Sequence, residues 1–342
     1  MKYVSIDKVE PGQYLGKTVY SGNGAVLLSA DVQLTVYMIN TLNRIGVTML
    51  YIKDPTLEDV EIEDVLSEQT KAAVISEMNE TFSALRSGKD WSPRKVAASV
   101  DQILDEAMSN KETLIQLTDI RTADNAQYVH SVNVCLISTM IGINMGLNSS
   151  QLKELAIGAL LHDLGKIDLN SETKLLDITR GHHTWQGFEL LKSKREFNLR
   201  IAHVALQHHE RVDGEGLPRG LTSDDIHIYA KIVAVANTYD NLVNPLNGRG
   251  MLPHEACEEL MAMSNRELDH EVLIEFTRII SVYPNGSGVR LSTKEAGVVV
   301  RQHRGLPSRP VIRIVKDHSG DLEVKEVDLA THTTVFIDSV MI

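Results

Sequence analysis

The sequence predicts a mainly α protein, with a small α/β unit at its start and a β-rich extension at its end. Three observations carry that expectation. Apolar residues recur at helix spacing from about Asp119 to Val282, with only short loops between segments. Runs of β-branched residues set off by turn signals lie outside that block, before residue 55 and after residue 284. The 342 residues, 43% hydrophobic and 23% charged, have the composition of an ordinary globular chain long enough for two domains.

Taken in order, residues 1–55 read as the small α/β unit. Strand-like pieces at Tyr3–Ile6, Thr18–Tyr20 and Ala25–Leu28 are separated by Pro11-Gly12 and by Ser21-Gly22-Asn23-Gly24. A helix fits Val32–Ile45, with Leu34, Met38, Leu42 and Ile45 on one face, and a strand follows at Thr48–Ile52. Residues 56–118 read as a helical linker. Its acidic stretch LEDVEIEDVLSEQ is most simply a solvated face, and Ile103, Leu104, Ala107 and Met108 form an apolar stripe. Residues 119–283 form the helical block, with segments at Val129–Met145, Gln151–Lys166, His183–Lys194, Leu199–Glu210, Tyr229–Leu242 and Pro253–Met263. Residues 284–342 open on the breaker cluster Tyr283-Pro284-Asn285-Gly286-Ser287-Gly288. They continue as β-branched runs at Val298–Val300, Val311–Val315, Leu322–Val327 and Val335–Ile337.

Composition excludes several classes. A net charge of −12 argues against a general binder of nucleic-acid polymers, which needs a basic patch. It leaves room for an anionic small molecule if bound cations reverse the local field. Cys135 and Cys257 each fall inside an apolar helical pattern and read as buried reduced thiols. The opening MKYVSIDKVE has no apolar core of a signal peptide. No apolar run approaches the ~18 residues of a membrane span. The expectation is a soluble, cytoplasmic protein.

The helical block carries the chemistry. In LAIGALLHDLGK an apolar helix ends in His162, Asp163 and Lys166, which share one patch at helix spacing. Taken alone, the His-Asp pair is most simply a hydrogen bond at a helix end. The block also holds His130, His182, His183, His208 and His209. His183 precedes Gly187 by one turn. His208-His209-Glu210 runs into a loop of two glycines and a proline. His203 lies about 140° around its helix from His208 and should face elsewhere. Singly, each histidine reads as a satisfied core residue, and His182, His203 and His227 stay in that class.

Together these pieces, in this order, resemble the HD superfamily of metal-dependent phosphohydrolases, and its HD-GYP branch in particular. HDLGK and HHERVDGEGLP are the segments that carry the resemblance. It implies an HD-type all-helical bundle holding two divalent metal ions, Fe or Mn foremost, with Zn, Mg and Ni compatible. It implies hydrolysis of cyclic di-GMP to pGpG and GMP, by in-line attack of a hydroxide held between the metals. By the same resemblance His130, His162 and Asp163 hold the first metal, with Asn237 at the position of a further ligand. Asp163 bridges to a second metal completed by His183, His208 and His209. Asp163 and Lys166 are the catalytic residues, and Lys166, Asp240 and Arg249 meet the substrate. Imidazole and carboxylate ligands suit such metals.

The chain departs from the family's pattern in four places. Leu217 stands where the signature has tyrosine, so the loop reads GLP. Asn237 replaces an aspartate of the first metal site, which removes one negative charge and weakens binding there. Ala126 replaces a glutamate that accompanies a third metal in some members. Leu246 occupies the place of a phosphate-binding arginine, with Arg249 three residues on. Two further functions follow from these departures. One is a degenerate cyclic-dinucleotide sensor or protein scaffold, which would engage a signalling partner without turnover. The other is an HD-type phosphohydrolase acting on a different nucleotide. A helical linker ahead of such a domain is compatible with a homodimer.

Overall fold

The computed structural model describes every residue except 61, 118–119, 168–181, 246–249, 319–320 and 342, together with the side chains of 316–318 and 321–322. The chain divides into two compact units. One comprises Met1–Asp64, Glu112–Ala126 and Ile280–Ile342, and the other Val65–Lys111 and Gln127–Ile279.

In the first unit, β1 (Lys2–Ser5) pairs antiparallel with β4 (Met49–Ile52), in register from Lys2–Ile52 to Ser5–Met49. The short β2 (Val19–Tyr20) pairs with β3 (Val26–Leu28). Helix α1 spans Val36–Arg44, shorter than the expected Val32–Ile45. Its start is set by Thr35, whose side chain accepts a hydrogen bond from the Met38 amide at 3.3 Å and satisfies an otherwise unpaired donor. Leu15, Val19, Leu34, Leu42 and Leu50 form the local core. The carboxy-terminal part is a five-stranded antiparallel sheet in the order β8-β7-β6-β5-β9. Its strands are β5 (Gly288–Leu291), β6 (Ala296–Arg301), β7 (Val311–His318), β8 (Asp321–Asp328) and β9 (Ile337–Met341). Alternate residues of these strands face one side, so Val289, Leu291, Val299, Ile312 and Ile314 make its core.

The second unit is helical throughout. Helices α2 (Glu68–Arg86) and α3 (Pro93–Ser109) belong to it. Ser67, near the end of the acidic stretch, caps α2. The buried face of α3 runs Val96, Val100, Ile103 and Ala107, at spacings of four and three. Met108, expected on that stripe, lies one position further around and is exposed. The remaining helices are α4 (Ala126–Asn144), α5 (Ser149–Leu160), α6 (His183–Lys192), α7 (Leu199–Gln207), α8 (Ile228–Val243), α9 (Pro253–Ala262) and α10 (His270–Thr277). Contrary to the sequence reading, α4 is long and apolar enough by length and composition to cross a membrane, and most of it is buried inside the unit.

Two glycine contacts bring these helices together. A Cβ on Gly158 of α5 would stand 2.7 Å from a Val204 methyl of α7. Gly187 of α6 lies against Ala205 of α7, where a Cβ would meet the Ala205 Cβ at 3.3 Å. Gly158→Ala should therefore destabilise the protein by about 1–3 kcal/mol through overpacking, despite alanine's better helix propensity. Denaturant unfolding of the single and double mutants checks this. Val204→Ala in the same chain should recover part of the loss, and strictly additive effects would contradict the contact.

Candidate metal centre

Five chain segments of the helical unit meet at one point. His130 comes from α4, and Asp240 comes from α8. His183 is the first residue of α6. His208 and His209 follow the last residue of α7, where the chain leaves the helix. His162 and Asp163 lie just beyond the end of α5, which stops at Leu160 instead of continuing to Lys166 as expected. The chain turns there into a short 3-10 segment, Leu164–Lys166. Gly165 explains the break. A Cβ on it would sit 2.0 Å from the His183 carbonyl oxygen and 2.5 Å from the Gly187 amide nitrogen. A side chain at 165 would keep the start of α6, and so His183, away from Asp163.

Asp163 is the hub, only 2% exposed. Around its Oδ2 lie His162 Nε2 at 3.4 Å, His130 Nε2 at 3.7 Å and Lys166 Nζ at 2.6 Å. Around its Oδ1 lie His183 Nε2 at 3.3 Å and His208 Nε2 at 3.6 Å. Two groups of potential metal ligands therefore share this one carboxylate: His130, His162 and Asp163, and Asp163, His183, His208 and His209.

The far side of several imidazoles is already committed. His162 Nδ1 lies 2.8 Å from the Ala159 carbonyl, and His208 Nδ1 lies 2.9 Å from the Ala205 carbonyl. Carbonyls only accept, so both Nδ1 atoms carry the proton and both Nε2 atoms present a lone pair. His130 Nδ1 faces Asp240 Oδ2 at 2.6 Å, which places its proton on Nδ1 too. The Nε2 atoms of His130 and His162 then face each other at 3.3 Å, lone pair toward lone pair. On the other side, Asp163 Oδ1 is buried without a hydrogen-bond donor among the described residues. The lone pairs of His130, His162 and His208 thus converge on a buried carboxylate, a set of acceptors that a cation satisfies.

Electrostatics point the same way. Burial works against the charge on Asp163. The field of His162 and close contacts with His162, His183 and His208 outweigh it, and hold the carboxyl well below its ordinary range. Burial lowers His208 to about 4, against the pull of Asp163. Burial, reinforced by His208 and His183, lowers His209 to about 2. Both imidazoles are neutral near neutrality, the form that binds metal.

Of the residues singled out in the sequence, the structure brings together His130, His162, Asp163, His183, His208, His209 and Lys166. Asp240, expected at the substrate, is fully buried and reaches His130 instead. It also accepts from Asn133 Nδ2 at 3.1 Å and Asn244 Nδ2 at 3.4 Å, which fixes the carboxylate that orients His130. Asn237 is buried on α8, and its side-chain oxygen accepts a hydrogen bond from Asn241 at 2.8 Å. Leu246 and Arg249 lie outside the described residues. His203 turns away as expected, its ring against Phe188 at 5.3 Å.

Some contributors were missed in the sequence. His182 caps α6, and its ring lies 4.4 Å from that of His183 and 5.8 Å from that of His209. Glu210 is buried and its carboxylate accepts from the Arg219 and Leu221 amides at 2.8 and 2.9 Å, pinning the glycine-rich loop beneath the site. Gly216 permits the loop's close return, because a Cβ there would stand 2.2 Å from the Arg211 nitrogen. Leu217 is about half exposed, and its amide donates to the His209 carbonyl at 2.9 Å.

The HD domain family model matches residues 102–272, and the KOW domain associated with HD domain matches residues 288–342. A cyclic di-GMP phosphodiesterase of Pseudomonas aeruginosa is 31% identical over 256 residues, covering 72% of this chain and 60% of that one. A cyclic di-GMP phosphodiesterase of Thermotoga maritima is 32% identical over 179 residues, covering 49% of this chain and 48% of that one. A 3'3'-cGAMP-specific phosphodiesterase of Vibrio cholerae is 27% identical over 186 residues, covering 51% of this chain and 36% of that one. The chain thus spans between about a third and three fifths of the length of these relatives. Among solved structures, an HDG"Y"P protein of Bdellovibrio bacteriovorus has a TM-score of 0.51 at 18% identity, covering 80% of this chain and 97% of that one. That likeness extends to the fold.

The shifted histidines carry a pH dependence. Their folded values lie below the ordinary 6.5, so the unfolded chain takes up protons that the folded chain refuses. Their contribution to stability is complete above about 6.5 and is lost as pH falls from there toward the folded value. The melting temperature of metal-free protein should drop between about pH 7 and about pH 5, and a flat profile would contradict the burial of these two rings.

Proposed function

Because this chain belongs to the HD domain family, we propose that it is a metal-dependent phosphodiesterase that hydrolyses a cyclic dinucleotide, cyclic di-GMP foremost. The observation that carries the reading is the buried Asp163, whose two oxygens each face a separate group of imidazole nitrogens. The names of the similar proteins support the substrate class.

In this reading His130, His162 and Asp163 hold the first divalent cation, and Asp163, His183, His208 and His209 hold the second. Fe or Mn is the preferred occupant on ligand type. Such cations, when bound, supply a nucleophile from water at neutral pH and offset the charge on phosphate oxygens. The chain's own groups do the rest. Asp240 and the Ala159 and Ala205 carbonyls keep the imidazoles of His130, His162 and His208 in the binding tautomer and orientation. Lys166, at the solvent edge of the site with 40% of its side chain exposed, offers an ammonium to a substrate phosphate. The net charge of −12 makes such local positive charge necessary for an anionic substrate to approach.

A second reading is binding without turnover, favoured by Asn237. Its neutral oxygen already serves Asn241, so the first position carries one charge fewer than an aspartate would supply.

Protein loaded with manganese or iron should convert cyclic di-GMP to pGpG or GMP, and Asp163→Ala should abolish that conversion. Asn237→Asp should raise both metal content and turnover. Dinucleotide binding with no turnover under either metal, before and after Asn237→Asp, would replace the enzyme by the sensor. Unchanged metal content in Asn237→Asp would remove asparagine as the limit on the first position.

A further inference from the structure

We propose that the two cation positions at Asp163 are unequal and that Lys166 gates the weaker one, holding Oδ2 until a substrate phosphate draws its ammonium away. The proposal rests on the phosphodiesterase reading above and concerns the order in which its site is assembled.

The two oxygens of Asp163 have different surroundings. Oδ1 has no hydrogen-bond donor among the described residues and faces His183 and His208, with His209 completing the group. Four ligands, one of them charged, await a cation there. Among the described residues Oδ2 faces His130 and His162, and it already takes an ammonium, Lys166 Nζ at 2.6 Å. Asn237, on the neighbouring helix α8, adds no charge, and its oxygen is engaged with Asn241. Asp240 is committed to His130 Nδ1 and acts on the first position only through that ring.

A cation at the first position and the Lys166 ammonium would therefore share one oxygen, and like charges at that separation repel. One has to yield. The cation would sit among fixed, buried imidazoles, whereas Lys166 ends a flexible side chain with 40% of it exposed. Lys166 can swing outward once an anionic group offers it a second partner. Phosphate binding and filling of the first position then favour each other, and by linkage each raises the affinity of the other by the same factor. Through this gate, a chain that lacks the aspartate at 237 completes its site when substrate is present.

Manganese titration of metal-stripped protein tests this, with free Mn2+ read by electron paramagnetic resonance. Two classes of one equivalent each are expected. Lys166→Met should tighten the weak class at least tenfold and leave the strong class unchanged. A phosphorothioate analogue of cyclic di-GMP should tighten the weak class in the wild type and have much less effect in Lys166→Met. Circular dichroism melts confirm that the variant is folded. Two equal classes in the wild type would overturn the proposal, and so would a folded Lys166→Met whose weak class is unmoved or lost. Absence of any bound manganese in the wild type would overturn the metal reading and the gate together. Two unequal classes that respond to Lys166→Met, in protein that never cleaves cyclic di-GMP, would uphold the gate and reject the phosphodiesterase.

Discussion

Asp163 carries a negative charge at the centre of a helical unit, and the surrounding structure is shaped by the need to accommodate it. A buried carboxylate costs several kcal/mol unless it is paired. Here it is met by imidazole nitrogens on both oxygens and by one ammonium. Backbone carbonyls and Asp240 hold the outer nitrogens of His130, His162 and His208 and so keep those rings from rotating away. Backbone approach is equally constrained. Gly165 lets the turn after α5 press onto the start of α6, and Gly187 and Gly158 let α6 and α5 press onto α7. The glycines do not touch a ligand, yet they set the distances at which ligands meet.

That constraint also clarifies where the chain departs from its relatives. Leu217 stands where the HD-GYP resemblance expects a tyrosine, and it is about half exposed while its amide donates to the His209 carbonyl. The substitution leaves the buried cluster untouched. Asn237 is different, since it lies on the helix that also carries Asp240, and in the proposed reading it changes the charge available to one of the two cation positions.

Much of the site was legible in the sequence because its residues are chemically distinctive and strictly ordered. His130, His162, Asp163, His183, His208 and His209 needed no distances to be picked out together. The β-rich ends and the helical middle were legible as well, from period and turn chemistry. What escaped was set by contacts between segments far apart in sequence. The end of α5 at Leu160 depends on the His183 carbonyl meeting Gly165, which no local pattern announces. Asp240 reads as a substrate contact in the sequence until His130, 110 residues earlier, is found beside it. His182 reads as a core residue from its neighbours, and only the packing of α6 places it beside the cluster.

The central claim is that the acceptors converging on Asp163 are metal ligands and not a network sharing protons. Anomalous diffraction at the manganese edge, from crystals of manganese-loaded protein, tests it most directly. The account predicts its strongest peak within bonding distance of Asp163 Oδ1 and the nitrogens of His183, His208 and His209. A folded, loaded protein with no peak there, or with manganese bound elsewhere, would contradict it.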